Sequence, residues 1–174
     1  MLPAVTAAAQ PYPTRHPLSA PLSLPPAGFD QGLSFFLPDQ VWLQPPGHVH
    51  AMIKATWGDQ GLAVAYGDGR TPPMPGAAAP GIVLTAQASS STGDVFIRIA
   101  NNEGTAQNVT ITLVGASFKP QVTSWTLAAP TTSGSNSPSA PNTVAPQQGS
   151  FTYTPGAPVA VPAYSFSVFG YTRQ

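Results

Sequence analysis

From Ile82 to the end of the chain, apolar and polar positions alternate with a period of two. Val95, Ile97 and Ile99 interleave with Phe96 and Arg98; Val109, Ile111 and Leu113 interleave with Asn108, Thr110 and Thr112. Successive side chains on extended backbone point to opposite faces, so each pattern predicts a strand with one set inward and the other outward. Strand-like runs recur at Ile82–Ala88, Asp94–Ala100, Gln107–Val114, Gln121–Leu127, Ser150–Thr154 and Tyr164–Tyr171. Between the second and third lies Asn101-Asn-Glu-Gly104, whose residues tolerate positive φ; this predicts a β-hairpin. Ala128–Gln148, rich in Ser, Thr, Pro and Asn, reads as a long loop between strands.

The first third of the chain follows other rules. Leu33–Leu37 (LSFFL) is a continuous apolar run with aromatic enrichment, the pattern of a strand buried on both faces. Pro38 ends it. Pro45 and Pro46 suit the first turn of a helix, where a missing N–H costs no intrahelical bond. Val49, Met52, Ile53, Thr56 and Trp57 then fall at helical spacing, and Gly58 is placed to cap the end. Residues 33–58 therefore read as strand, loop, helix: one βα unit, of a kind that normally needs neighbours on both sides. Left uncovered, its apolar side chains predict low solubility or self-association unless they fold back on the strands that follow. Leu62–Tyr66 reads as a further strand, Gly67–Pro80 as a linker, and Met1–Ala27, without any period, as a disordered tail.

Composition sharpens this picture. Among 174 residues are 22 Pro and 16 Gly, and only 7% are charged. Proline's fixed φ and glycine's freedom favour short strands and many turns over helices. Six basic and six acidic side chains give a net charge of zero, so nucleic-acid binding has no electrostatic support. No cysteine is present, which excludes disulfides and thiolate metal sites. No apolar run approaches the ~20 residues that cross a bilayer. Met1–Ala9 lacks a basic residue ahead of its apolar part, so it does not read as a convincing signal peptide.

Candidate chemistry is sparse. His48 and His50, two apart on a helix, point about 200° away from each other and cannot share a metal as i, i+4 histidines do. No metal site and no cofactor are expected. Asn108-Val-Thr110 is an N-glycosylation sequon on the polar face of its strand. Trp125, Phe151, Tyr153, Tyr164 and Phe166 fall on the expected strands. Such aromatics fill sandwich cores, or, when two or more of Trp125, Tyr153, Tyr164 and Tyr171 line one exposed face, bind sugar rings. No Gly-x-Ser-x-Gly elbow, phosphate loop or dinucleotide turn occurs.

Several segments, in order, resemble one family. Phe35-Phe-Leu-Pro-Asp-Gln-Val-Trp-Leu-Gln-Pro-Pro-Gly-His-Val-His-Ala-Met-Ile53 is similar to the last βα unit of an arabinofuranosidase-type barrel. Phe96-Ile-Arg-Ile-Ala-Asn101, Ser124-Trp-Thr-Leu127, Ser137-Pro-Ser-Ala-Pro-Asn-Thr-Val-Ala-Pro146 and Val161-Pro-Ala-Tyr-Ser-Phe-Ser-Val-Phe169 resemble pieces of the β-sandwich that follows that barrel in α-L-arabinofuranosidases of glycoside hydrolase family 51. The resemblance spans residues ~33–171 and implies an extracellular or cell-wall hydrolase acting on arabinose-containing polysaccharides. In that family a (β/α)₈ barrel carries a Glu acid/base and a Glu nucleophile. This chain has room for one βα unit, and its single glutamate, Glu103, is predicted in a hairpin turn. Asn102-Glu103 matches the Asn-Glu pair of the acid/base only superficially, so no catalytic residue is assigned. By the resemblance, Trp42, Gln44 and His48 lie on a loop near the sugar pocket and are candidate substrate-edge residues, with packing as the alternative.

The resulting expectation is a mainly β protein. An antiparallel β-sandwich (residues 61–174) is preceded by the remnant of a last barrel βα unit (33–60) and a disordered Pro/Ala-rich tail (1–32). The expected role is the C-terminal part of a secreted α-L-arabinofuranosidase-like hydrolase, inactive by itself and meeting polysaccharide through the parent enzyme. The alternatives are a free-standing carbohydrate-binding module or a structural cell-surface domain.

Overall fold

The computed structural model describes residues 32–66 and 81–174. The expected tail, apart from Gly32, and the expected linker fall outside these residues. The described part is mainly antiparallel β with one helix. Its elements are β1 (Ser34–Leu37), β2 (Gln40–Leu43), α1 (Pro45–Ala55), β3 (Gln60–Leu62), β4 (Ile82–Ala88), β5 (Val95–Asn101), β6 (Gln107–Thr110), β7 (Phe118–Ala128), β8 (Gln147–Thr152), β9 (Pro158–Val161) and β10 (Ser165–Arg173).

Six strands form one antiparallel sheet in the order β3-β4-β5-β10-β7-β8. A two-stranded ribbon, β6–β9, covers one face. The sequence explains this layering. On β5 and β10 the alternate residues Ile97, Ile99, Phe169 and Tyr171 meet Ile111 from the segment after β6 and Val161 of β9 in one buried core. Edge-to-face aromatic pairs pack against this core: Phe151 on Phe169 with centroids 5.3 Å apart, and Tyr153 on Tyr171 at 5.4 Å.

The other set of alternating residues is covered too. Val168 of β10 and Leu127 of β7 pack with Met52 of α1, and Phe96 and Trp125 flank them. Helix α1 therefore folds back on the sheet, as the expected exposure of its apolar side allowed. Arg98, on this second face, is buried rather than solvated. Its Nη2 donates to the carbonyl of Thr56 at 2.5 Å, and its Nη1 donates to Gln87 Oε1 at 2.7 Å. Carbonyls at a helix C-terminus lack intrahelical donors and carry the negative end of the dipole, so a buried cation there is doubly favoured. Gly58 serves the same junction. The helix ends on Thr56, and Gly58 lies so close to the Ala88 carbonyl that a Cβ would collide with it. Its role is close approach, not the expected helix cap.

Two other expectations are corrected. The Asn101–Gly104 turn joins no hairpin. Both edges of β5 are taken, by β4 and β10, so β6 crosses to the facing layer and pairs with β9 instead. The buried Asn101 side chain builds this arch. Its Nδ2 donates to the carbonyls of Thr105, Val161 and Pro162, and its Oδ1 accepts the Glu103 N–H. The run at 33–37 is likewise not buried on both faces. It pairs only with β2, and Phe36 is 79% exposed.

Candidate functional site

The β1–β2 hairpin and the first turn of α1 carry the three candidate substrate-edge residues. Cross-strand register puts Phe35 opposite Trp42 and Phe36 opposite Val41. Phe35 and Trp42 stack on one face, with centroids 6.0 Å apart. Phe36 and Val41 share the other face and are exposed, Val41 by 72%.

Gln44 is buried and wholly committed. Its Nε2 donates to the Asn136 carbonyl at 2.7 Å, and its Oε1 accepts the Asn136 N–H at 3.0 Å. A side-chain amide here imitates a strand pairing with the backbone of the long loop. Asn136 returns the arrangement: its Nδ2 donates to the carbonyls of Leu43 and Val144, and its Oδ1 accepts the Val144 N–H at 2.7 Å. Gln40 adds a bond from its Nε2 to the Pro138 carbonyl. These amides clamp the hairpin onto the loop between β7 and β8. This is also why Gln44, although it occupies the N-cap of α1, makes no side-chain cap.

Trp42 and His48 differ from Gln44. Trp42 Nε1 and His48 Nε2 are buried and have no hydrogen-bond partner. Burial lowers the His48 pKa, because desolvation disfavours the charged imidazolium. His50 lies on the exposed side of the helix. Among the described residues, no cluster of three or more His, Cys, Asp or Glu is placed to hold a metal.

Glu103 stands in the arch between layers. Its carbonyl accepts the Tyr164 N–H, and its carboxylate packs against Gly81. Asp94 and Asp59 lie at the opposite end of β5. Asp94 precedes that strand and accepts the Arg173 N–H, and Asp59 accepts from Ser90. Seven extended residues separate the two ends by about 23 Å. A retaining pair needs carboxyl groups about 5 Å apart, so neither aspartate is placed to partner Glu103.

The aromatics do not form a platform. Tyr171 is fully buried and Tyr153 packs edge-on against it, while Trp125 lies on the opposite face of the sheet. Asn108 is exposed on β6, with Thr110 on the same side and Val109 turned to the core. Asn136 and Arg98 were not singled out from the sequence. Arg98 carried a signal, since a lone charge within an apolar strand of a chain this poor in charge needs a partner. Asn136 carried none.

This architecture defines a class of fold: an antiparallel β domain with a hairpin–helix unit folded onto it. Among solved structures, the chain is similar to an arabinose-bound GH51 α-L-arabinofuranosidase, with a TM-score of 0.70 at 23% identity over 84% of this chain and 22% of that one. The α-L-arabinofuranosidase from Thermotoga maritima, an arabinose complex, gives 0.65 at 20% identity over 80% and 31%. The GH51 arabinofuranosidase from Xanthomonas axonopodis pv. citri gives 0.65 at 22% over 82% and 29%. At these identities the likeness is one of fold. The chain spans less than a third of the length of each of these structures. No protein-family model and no curated protein matches the sequence. No helix among the described residues is long and apolar enough to cross a membrane.

Proposed function

We propose that this chain is the C-terminal, non-catalytic part of a secreted α-L-arabinofuranosidase-like glycoside hydrolase acting on arabinose-containing polysaccharides. In this reading residues 33–60 are the remnant of the last βα unit of a (β/α)₈ barrel, and residues 61–174 are the sandwich that supports it. The observation that carries the reading is the β1–β2 hairpin. It is clamped firmly to the sandwich through Gln44 and Asn136, yet presents Phe36 and Val41 bare to solvent. Contiguous exposed apolar residues mark a face built to be covered. The fold likeness, which takes in most of this chain and a minor part of the matching enzymes, indicates what covers it. Trp42 and His48, each with an unpartnered buried nitrogen on the same hairpin–helix unit, are the residues we assign to the edge of the substrate cleft; Gln44 positions them. The location of the parent enzyme is extracellular or in the cell wall.

The test is the length and activity of the native polypeptide that contains this sequence. Antibodies raised against the chain should detect a species several times longer that releases arabinose from an aryl arabinofuranoside. The purified 174-residue chain should release none. Turnover by that chain, abolished by Glu103→Gln, would overturn the proposal.

A further inference from the structure

An open cleft of about 290 Å³ lies where the Asn101–Gly104 arch, the start of β10 and the loop after β7 converge beside Pro45. Its floor is apolar: Leu127, Val144 and Phe166. Its rim is polar, and three rim side chains, Asn102, Thr132 and Tyr164, have no hydrogen-bond partner within the protein. By contrast the amide of Asn101 and the hydroxyl of Ser165, on the same wall, are satisfied internally. No charged residue lines the cleft.

Tyr164 is the second observation. Its φ of 44° is the one positive value at a non-glycine among the described residues. For a bulky side chain this is a strained conformation that persists only where the surroundings over-determine it. Here they do: the Tyr164 N–H donates to the Glu103 carbonyl, and its own carbonyl accepts the Ala129 N–H. These two bonds tie the arch to the end of β7 and hold the tyrosine in the wall of the cleft.

We infer that this cleft is a saccharide-binding site. A small, uncharged concavity with an apolar floor, an aromatic residue in its wall and free amide and hydroxyl groups matches a neutral sugar ring, which offers an apolar C–H face and a rim of hydroxyls. Phosphorylated or otherwise ionic ligands find no counter-charge. The cleft is distinct from the exposed hairpin face. It differs as well from a flat aromatic platform, because its specificity resides in Asn102, Thr132 and Tyr164. The choice of a sugar rests on the hydrolase reading; the cleft and its free polar groups do not.

The experiment is titration of the isotope-labelled full chain with arabinotriose, followed by amide chemical shifts, with glycerol as the control polyol. Saturable shifts confined to residues about 102, 131–134 and 164–166 are expected. Asn102→Ala and Thr132→Val, both at exposed positions that leave the rest of the spectrum unchanged, should each weaken binding about tenfold. Absence of saturation, equal shifts with glycerol, or affinity indifferent to both substitutions would overturn the inference. A silent titration beside a long, active native enzyme would remove the cleft and leave the hydrolase reading standing. Saturable binding beside a native species no longer than this chain would do the reverse.

Discussion

The two faces of the six-stranded sheet are covered in different ways, and the difference separates what holds this molecule together from what it offers to others. The face under the β6–β9 ribbon is sealed by hydrophobic contact, with Ile99, Val122, Val161 and Tyr171 fully buried. The opposite face has a smaller apolar cluster around Met52, Leu127, Val144 and Val168, and its attachment depends on directed polar bonds: Arg98 to Thr56, and Gln44 to Asn136. Apolar burial is non-directional and tolerant of sequence, whereas a buried amide pair works in one geometry only. The first face makes the domain. The second fixes where the hairpin and helix stand on it.

Substitutions separate the two. The largest effect is expected from Phe169→Ala, which empties the centre of the sealed core and removes the edge-to-face partner of Phe151. It should cost about 3–5 kcal/mol and lower the denaturant midpoint of the whole domain in one transition. Asn136→Ala should cost less, about 1–3 kcal/mol, because it leaves the half-buried Leu43 carbonyl and both buried Val144 backbone groups without the amide they meet. Its loss should be local: amide exchange should quicken in residues 34–56 while β5 and β10 stay protected. Equal acceleration throughout would show that the two faces are not independent. The smallest effect on stability, within about 0.5 kcal/mol, is expected from Phe36→Ser combined with Val41→Ser. That pair should instead abolish concentration-dependent association in sedimentation. A wild-type chain that is already monodisperse at high concentration would count against a face that needs covering.

Much of the sheet was legible from alternation alone. The runs expected at Ile82–Ala88, Asp94–Ala100, Gln121–Leu127 and Tyr164–Tyr171 coincide with β4, β5, β7 and β10 to within a few residues. These strands carry their burial in their own pattern. β9 was missed because Pro158-Val-Ala-Val161 follows a Pro-Gly turn and is itself proline-led. It tolerates that proline because it pairs with β6 alone and Pro158 stands at its first position. The apolar run at 33–37 was recognised as a strand, but its continuous pattern does not distinguish a buried strand from one waiting to be buried. Of the candidate site, Trp42, Gln44 and His48 were singled out through resemblance alone. The commitment of Gln44 to Asn136 was not, since the two stand 92 positions apart.

The sequence by itself determined the class: short antiparallel strands, a helix opened by Pro45, no cysteine and a net charge of zero. These follow from composition and period, which are local properties. Only the tertiary structure decided that β6 leaves β5 for the facing layer, that Arg98 is buried against a helix end, and that Tyr164 is forced to positive φ in the wall of a cleft. Each depends on which strand edges and which carbonyls are left unsatisfied once the rest has packed. That is settled by contacts between distant segments, and no window along the chain contains it.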